Sequence, residues 1–353
     1  MKLTMKNSIV IALLFCSGAL FSQQEAQFAS GFQNPYIYNP AAGGLSSVTQ
    51  IDLVARLQWV GYGGGPKTIN FSGHSIVGAG NSARLQEYNP EGKFMHARPA
   101  VTVGALKHVV GGRIMSDEIG VFNKVGVYGS YAIHLPVTKE FNIGAGVGLG
   151  WGNHRINSNR VILADAMDDA YAAALGSTAQ QHIFDANAGL VFYGKGLFFG
   201  ASMTHALKNK AAFNGVETQS FYNRHYFLQL SYGLKVGKSV LEPGVIAKFA
   251  DNSPVNLDFG ARFIYKNAMW LGIYGRTSNN LVFQFGTTVV ENIYISYAYE
   301  HSMGKIRNAA SGTHEIQLGI YIGKRVKKVK ETDTEKTEPK KEEKSTTGTE
   351  ENK

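Results

Sequence analysis

Few residues in this sequence have the types and spacing that catalysis or metal binding requires. The acidic cluster Asp165, Asp168 and Asp169 lacks the glycine and terminal glutamate of a calcium-binding loop, so it predicts a solvated turn or short helix, with weak divalent binding as the alternative. The 10 histidines are scattered, and their spacing alone gives no ligand set. The sequence has no Gly-x-Ser-x-Gly elbow, no His-Glu-x-x-His motif and no Walker loop. We therefore expect no enzyme, no catalytic residue, no cofactor and no metal.

The first 22 residues have the three parts of a secretory signal. Lys2 and Lys6 precede an apolar run, and small residues follow it before Gln23. We predict that residues 1–22 are a signal peptide. The only cysteine, Cys16, lies inside it, so the mature chain would have no thiol for a disulfide or a metal site, with a lipid anchor at Cys16 as the alternative.

Glycine spacing indicates strands rather than a nucleotide-binding loop. In the segment from Ile143 to Gly152 every second residue is glycine, and the residues that alternate with the glycines are all apolar. A dinucleotide-binding motif needs unequal glycine spacing followed by a helix. A strict period of two instead places all these glycines on one face of a strand.

The same alternation recurs from Val48 to Gly323, with apolar residues on one strand face and small, polar or charged residues on the other. The sequence has no run of 18 apolar residues, which a helical membrane span requires. A soluble sandwich turns its apolar face inward, whereas an outer-membrane barrel turns it toward lipid. The alternation by itself fits both.

Strand number and connector length favour the barrel. The predicted strands start near residues 48, 68, 99, 119, 140, 183, 196, 221, 240, 255, 268, 280, 292 and 312. Short turns such as Lys266-Asn267 alternate with longer connectors such as Gly111 to Glu118 and Asn153 to His182, as short periplasmic turns and long outer loops would. There are two exceptions to this pattern. The connector from Gly78 to Arg98 is long where a short turn is expected, and the connectors Asp251 to Pro254 and Ser278 to Asn280 are short where loops are expected. We predict an all-β, transmembrane antiparallel β-barrel of about 14 strands, within a range of 12 to 16, over residues 48–323.

Charges of both signs fall on the predicted inward faces and could either line a pore or hold a plug by hydrogen bonds. The residues we assign to the lumen are Asp52, Asp258, Arg262, Glu300 and Glu315, together with Arg56, Asp185, Lys235, Glu242 and Lys248. Glu242 and Lys248 are too far apart on one strand to pair, so any ion pairs must join different strands.

The last 30 residues, 324–353, are rich in Lys, Glu, Thr and Ser and cannot form a core. We predict a disordered, solvated periplasmic tail, with a docking segment for an anionic partner as the alternative.

Residues 23–47, between the signal and the first strand, contain two Asn-Pro steps, Asn34-Pro35 and Asn39-Pro40. Proline fixes its own φ and biases the preceding residue toward extended geometry, so we predict a stiff, non-helical segment packed on or in the barrel. The first strand then ends in the motif Arg56-Leu-Gln58-Trp59-Val60-Gly61, followed by Gly65-Pro66-Lys-Thr68, and a later loop contains Asp117-Glu-Ile119-Gly120.

This combination resembles the PorP/SprF family of outer-membrane proteins of the Bacteroidetes type IX secretion system, over roughly residues 23–323. The positions that match the family pattern and are partner candidates are Asn34, Pro35, Asn39, Pro40, Arg56, Gln58, Trp59, Gly61, Gly65, Pro66, Asp117 and Gly120. Gly and Pro in the loop from Gly61 to Pro66 also suit a tight turn regardless of function, so a structural role is the alternative there.

The resemblance implies a non-enzymatic component that supports export or surface attachment of secreted proteins such as gliding adhesins. The implied partners are a secreted substrate with a type IX sorting domain, other secretion or gliding proteins reached in the periplasm through the tail, and outer-membrane lipid; nucleic acid is excluded for a secreted chain. We expect the N-terminus and the tail in the periplasm. The alternatives are a porin or solute transporter of the same architecture and a soluble β-sandwich.

Overall fold

A computed structural model describes residues 25–46, 48–78, 103–157, 160–161, 179–213, 216–251, 253–266, 268–290 and 292–322. The predicted signal peptide, the charged tail, the acidic cluster at 165–169 and most of the 78–98 connector lie outside these residues.

The described residues form one antiparallel sheet that closes on itself. Around the sheet each strand pairs with its neighbour in the chain, and the first pairs with the last from Thr49↔Ile322 to Leu57↔His314. The strands of this sheet are β1 Thr49–Leu57, β2 Lys67–Val77, β3 Lys107–Ile119, β4 Phe122–Pro136, β5 Asn142–Ile156, β6 Ala179–Gly194, β7 Leu197–Thr204, β10 His225–Tyr232, β11 Leu234–Val236, β12 Ser239–Ala250, β13 Asn256–Tyr265, β14 Met269–Arg276, β15 Asn280–Val290, β16 Ile293–Ser302 and β17 Thr313–Ile322. Because β10 and β11 follow one another along the same side of β12, they are two parts of one wall strand. The fold is therefore a closed 14-stranded barrel, which confirms the barrel predicted from the strand number.

Elements outside the wall are short. A hairpin of β8 Lys210–Phe213 and β9 Val216–Phe221 lies between β7 and β10. Within the described ranges, 3₁₀ turns include those at Ala29–Phe32, Pro35–Ile37, Pro40–Ala42 and Lys305–Asn308. Among the described residues, no helix has the length and apolarity that a helical membrane crossing requires.

Burial alternates along the wall strands. In β5, Val147 and Leu149 are 54% and 69% exposed on the outer surface, while Gly146 and Gly148, which alternate with them, are buried. The outer face carries the apolar residues and the inner face the glycines and polar groups. This is the polarity of a membrane barrel and the reverse of a soluble sandwich, in which the apolar face is buried.

The third strand differs from its prediction. It runs from Lys107 to Ile119 and not from about residue 99, and the expected loop from Gly111 to Glu118 is part of it. Gly111 and Gly112 pair with Ser130 and Gly129 of β4, while Asp117 and Glu118 pair with Lys124 and Asn123. The glycines and the polar Ser116-Asp117-Glu118 suggested a loop, but glycine is suited to a crowded inner face and polar residues to a strand end beyond the apolar band. The β3–β4 connection is a tight turn containing Gly120, which has a φ of 58°.

The two ends of the barrel are named here by their connections. The termini rim is the end at which β1 begins and β17 ends, and the loop rim is the opposite end, which carries the 58–66 connection. Most turns at the termini rim are short, although the connection from β2 to β3, across residues 78–106, is long. At Lys195-Gly196 both residues have positive φ (48° and 82°), as a type I′ hairpin turn requires.

Candidate functional site

The lumen is occupied by the chain itself. Residues 25–46, called the plug segment below, are mostly buried and make hydrogen bonds to strands on every side of the barrel. The bonds reach His74 of β2, Arg113 of β3, Ser130 of β4, Leu190 of β6, Ser202 of β7, Gln229 of β10, Arg276 of β14, Gln284 of β15 and Glu315 of β17. A segment held from all sides by inward-facing groups lies inside the barrel.

Each Asn-Pro step starts a 3₁₀ turn within this segment, so the prediction of a non-helical stretch is wrong in detail. Pro35 and Pro40 occupy the first position of their turns, where a missing N–H costs nothing. The Asn39 side chain accepts a hydrogen bond from Ala41 N (2.9 Å) and donates to the carbonyl oxygens of Leu190 (3.0 Å) and Ala201 (3.3 Å). Asn39 therefore both caps a turn and fastens it to β6 and β7. The Asn34 side chain is buried and makes no cap.

One side of the lumen carries a continuous line of buried charges, called the charge ladder below. Its members alternate in sign and come from β12, β13, β14, β16, β1 and β17. The contacts are Lys248 Nζ–Asp258 Oδ2 (2.5 Å), Asp258 Oδ2–Arg276 Nε (3.2 Å), Arg276 Nη1–Glu300 Oε2 (2.7 Å), Glu300 Oε2–Arg56 Nη2 (2.7 Å) and Arg56 Nη1–Glu315 Oε2 (3.2 Å). Three cations and three anions balance, which a buried set of charges requires.

The ladder also binds the plug segment directly. Glu315 accepts hydrogen bonds from the backbone N–H groups of Ala29 and Ser30, both at 2.8 Å, and Arg276 Nη2 donates to the carbonyl oxygen of Phe28 (3.1 Å). Charge-assisted hydrogen bonds of this kind are stronger than neutral ones. The ladder thus holds the start of the first 3₁₀ turn, Ala29–Phe32, against β14 and β17.

The opposite side of the lumen makes room for the plug segment with glycine. A Cβ at Gly146 of β5 would lie 2.6 Å from the Ala41 nitrogen, and one at Gly189 of β6 would overlap Asn39 Oδ1. At Gly111 of β3 it would overlap the Tyr36 hydroxyl group, which hydrogen-bonds Ser130 Oγ at 2.6 Å. The inward glycines therefore let the plug backbone approach the wall.

Two further polar clusters lie in the lumen away from the plug segment. Arg262 pairs with Glu242 at 2.6 Å, joining β13 to β12. The Asp52 carboxylate accepts hydrogen bonds from Tyr294, from Gln317 (2.9 Å) and from Gln50 (2.8 Å). All the lumen charges assigned from sequence are buried except Lys235, for which the assignment is wrong. Lys235 lies in β11, which pairs with β12 but extends beyond Leu197, the first residue of β7, at the termini rim, so β7 does not run alongside it.

The motif residues after β1 form a compact loop at the loop rim. Gln58 N donates to Pro66 O (2.8 Å), and a Cβ at Gly65 would overlap Gln58 O, so the loop closes at its base. Trp59 and Gly61 have φ of 56° and 92°. Backbone hydrogen bonds join Val60 to Gly312 and Ser311 (2.8 and 2.7 Å), and Trp59 N donates to Thr313 Oγ1 (3.3 Å). The loop is thereby fixed to the β16–β17 connection.

The structure does not bring the motif residues together. Arg56 lies in the charge ladder, Gln58 to Pro66 lie at the loop rim, and Asn39 and Pro40 lie in the lumen against β5 and β6. Asp117 accepts a hydrogen bond from Thr68 Oγ1 (2.6 Å) and joins β3 to β2, and Gly120 forms a turn. Each position has a structural reason, and the partner role of these residues stays a prediction.

A group absent from the sequence prediction lies near the loop rim, where the plug segment begins. The Glu25 carboxylate is 3.7 Å from Arg113 Nη2 and accepts a hydrogen bond from Thr204 Oγ1 (2.8 Å). Burial opposes its ionisation, but the charges of His205 and Arg113 lower its pKa below the usual value. Burial likewise opposes the protonation of His205, yet the Asp185 carboxylate, which lies 2.6 Å from His205 Nδ1, and the charge of Glu25 raise its pKa. The sequence alone could not reveal that Glu25, Arg113 and His205 lie together, because these residues are far apart in the chain and their contact depends on how the strands pair.

The two ends of the described chain lie at opposite rims of the barrel. Glu25 lies beside Thr204, the last residue of β7 at the loop rim, whereas Ile322 ends β17 at the termini rim. The periplasmic placement of both chain ends, and the domain limits at 22, 47 and 323, stay predictions because residues 1–24, 47 and 323–353 are outside the described part.

Comparison with known proteins identifies one family. The family model described as "Type IX secretion system membrane protein PorP/SprF" matches residues 20–320. No curated protein is significantly similar in sequence to this chain.

Several solved outer-membrane barrels are similar in fold at low sequence identity. The toluene transporter TodX of P. putida is 9% identical, with a TM-score of 0.44, over 83% of this chain and 95% of that chain. The CymD monoaromatic hydrocarbon channel is 8% identical, with a TM-score of 0.44, over 83% and 92%. The outer membrane protein Omp33 of Acinetobacter baumannii is 9% identical, with a TM-score of 0.41, over 79% and 100%.

Proposed function

We propose that this chain, which belongs to the PorP/SprF family of type IX secretion system membrane proteins, supports export or surface attachment of secreted proteins by binding protein partners. It is an outer-membrane β-barrel, and its family and fold point to a membrane component of secretion and not to an enzyme.

The observation that carries the proposal is the filled lumen. A solute channel needs a continuous aqueous path, which barrels of sixteen or more strands provide and small barrels do not. Here the path is taken by the plug segment, in which Ile37 is fully buried and Tyr38 is 3% exposed. Removing the plug segment would break the hydrogen bonds to Glu315 and Arg276 that are made within a buried ion network. A barrel closed in this way would act through its surfaces.

The loop from Gln58 to Pro66 is the surface we assign to partner contact. It projects apolar groups, with Tyr62 48% and Val60 37% exposed, on a backbone held by hydrogen bonds to the β16–β17 connection. A rigid loop loses little conformational freedom on binding, and aromatic residues contribute strongly to protein interfaces. We place the loop rim outside the cell and the termini rim in the periplasm, because most turns at the termini rim, apart from the β2–β3 connection, are short, as they are on the periplasmic side of a barrel.

The proposed partners are a secreted protein with a type IX sorting domain, such as a gliding adhesin, and other secretion or gliding proteins. The charged tail at 324–353 follows β17 at the termini rim and would reach periplasmic machinery. Its ten Lys or Arg and eight Asp or Glu residues give it both signs of charge for docking.

Deletion of the gene followed by comparison of the surface proteome tests this function. We expect at least one exported protein to be lost from the surface and to accumulate inside the cell, with recovery on expression of the full chain. Unchanged surface display of every exported protein, with altered uptake of a small solute, would contradict the proposal and favour the transporter alternative.

Site-specific photo-crosslinking tests the contact surface. A photoreactive residue in place of Tyr62 should capture a secreted or machinery protein in living cells. The matched control is Leu149, which is 69% exposed on the outer wall and should capture none of these proteins. Equal capture at both positions would remove the loop from the proposal.

A further inference from the structure

We propose that Glu25, His205 and His225 bind a divalent transition-metal ion of the Zn²⁺ class, which fastens the start of the plug segment to the barrel wall. The three residues come from the plug segment, the end of β7 and the start of β10. One potential ligand atom from each lies within 4.8 Å of the others.

The ligand set suits such an ion. Zn²⁺ binds imidazole nitrogen at about 2.0–2.1 Å and carboxylate oxygen at about 2.0–2.2 Å, and two histidines with one glutamate are a known combination. These bond lengths place tetrahedral ligands roughly 3.3 Å apart, so small side-chain rotations would close the site. Ca²⁺ and Mg²⁺ prefer oxygen ligands and fit the two imidazoles poorly.

A neighbouring carboxylate already orients one of the histidines. Asp185 Oδ2 lies 2.6 Å from His205 Nδ1, and the Asp185 side chain is fully buried. Histidines that bind metals commonly use one ring nitrogen for the metal and donate the other N–H to a carboxylate. With Nδ1 engaged by Asp185, His205 would bind the ion through Nε2.

The surroundings leave Glu25 able to act as a ligand. Its Oε2 accepts one hydrogen bond from Thr204 and its Oε1 lies 3.7 Å from Arg113, which leaves further lone pairs on the carboxylate. The group borders a recess that opens toward the loop rim and is also lined by Asp117, Lys124 and His154. An ion would therefore have an entry path.

The consequence is mechanical. The plug segment is fixed at Ala29 and Ser30 by the charge ladder, and metal binding at Glu25 would fix it at a second point nearer the loop rim. Occupation of the site would hold the first described residues of the chain against β7 and β10.

Zn²⁺ binding to the full chain, purified in detergent without a polyhistidine tag, tests the inference. We expect one Zn²⁺ per chain by calorimetry and elemental analysis, and a rise in melting temperature on addition of Zn²⁺ but not of Mg²⁺. Glu25→Gln, His205→Ala and His225→Ala should each weaken binding at least tenfold, and Asp185→Asn by about tenfold. His301→Ala, at an exposed position, should leave binding unchanged.

Glu25→Gln alters the plug segment and leaves the wall strands intact. Loss of Zn²⁺ binding in this variant would therefore not be explained by a misfolded barrel. Absence of stoichiometric Zn²⁺ in the unsubstituted chain would overturn the inference. Binding that the two histidine variants leave unchanged would do the same, and binding that needs the histidines but not Glu25 would overturn the attachment of the plug segment.

Discussion

The two sides of the lumen hold the same segment by opposite means. Along β12–β14, β16, β17 and β1, six buried charged groups form the charge ladder. Two of them bind the plug backbone: Arg276 donates a hydrogen bond to Phe28 O, and Glu315 accepts hydrogen bonds from the N–H groups of Ala29 and Ser30. Along β3–β7, the wall loses side chains at Gly111, Gly146 and Gly189, and the plug residues Tyr36, Asn39 and Ala41 lie against bare backbone.

The charge ladder supplies attraction for the plug segment, whereas the inward glycines supply the space that the segment needs. Buried charges stabilise the closed state because each member would be left uncompensated if a partner moved away. Glycines contribute no attraction of their own, but they remove the steric barrier to close approach and so fix the position of the turns. Together the two sides define both how firmly and where the plug segment lies.

The largest expected effect is on the charged side. Arg276→Ala removes the group that joins Asp258 to Glu300 and that binds Phe28 O, so it should lower the free energy of unfolding by about 3–5 kcal/mol. Chemical denaturation of the barrel in lipid vesicles measures this. A loss below 1 kcal/mol would mean that the ladder does not stabilise the closed barrel.

The glycine side should respond to a single methyl group. Gly189→Ala places a Cβ on Asn39 Oδ1 and should cost about 1–3 kcal/mol by overpacking, together with increased protease access to the plug segment. Gly129→Ala is the matched control, because Gly129 of β4 has no atom within 4 Å of the added Cβ. If both variants behaved alike, the inward glycines would not be spacers for the plug segment.

A smaller effect is expected where the plug segment meets β6 and β7 by neutral hydrogen bonds. Asn39→Ala loses the cap on Ala41 N and the bonds to Leu190 and Ala201, and should cost about 1–2 kcal/mol. The same denaturation experiment measures it against Asn280→Ala, which loses only an exposed bond to Ser278. An equal cost for the two would contradict the role of Asn39 as a fastener.

The smallest effect should come from an ion pair outside the lumen. Lys195 Nζ lies 2.5 Å from Glu140 Oε2, but the two side chains are 51% and 40% exposed. Lys195→Ala should therefore change the free energy of unfolding by about 0–1 kcal/mol. A cost similar to that of Arg276→Ala would show that burial does not distinguish the two kinds of pair.

The wall of the barrel could be predicted from sequence because its signals are local. Alternation in segments such as Ile143 to Gly152 sets the two faces, and turn residues between segments set the strand number. The wrong prediction of a loop from Gly111 to Glu118 also came from local signals, because Gly111 and Asp117 resemble loop residues when their pairing with the neighbouring strand is not known.

The contents of the lumen could not be predicted in the same way. The partners Arg56 and Glu315 are 259 residues apart, and their contact depends on closure of the first strand on the last. The inward glycines were visible as a pattern, but their cause, the approach of Asn39 and Ala41, depends on where the plug segment lies. The meeting of Glu25, His205 and His225 likewise needs the register of β7 and β10.

Single-barrel conductance in planar bilayers tests most directly whether the plug segment closes the lumen. The full chain should show no stable open level, while a chain lacking residues 26–45, with its signal peptide retained for export, should show one. The deletion variant must first show the heat-modifiable gel mobility of a folded barrel. A stable open level in the full chain, unchanged by the deletion, would contradict the account and indicate a solute channel.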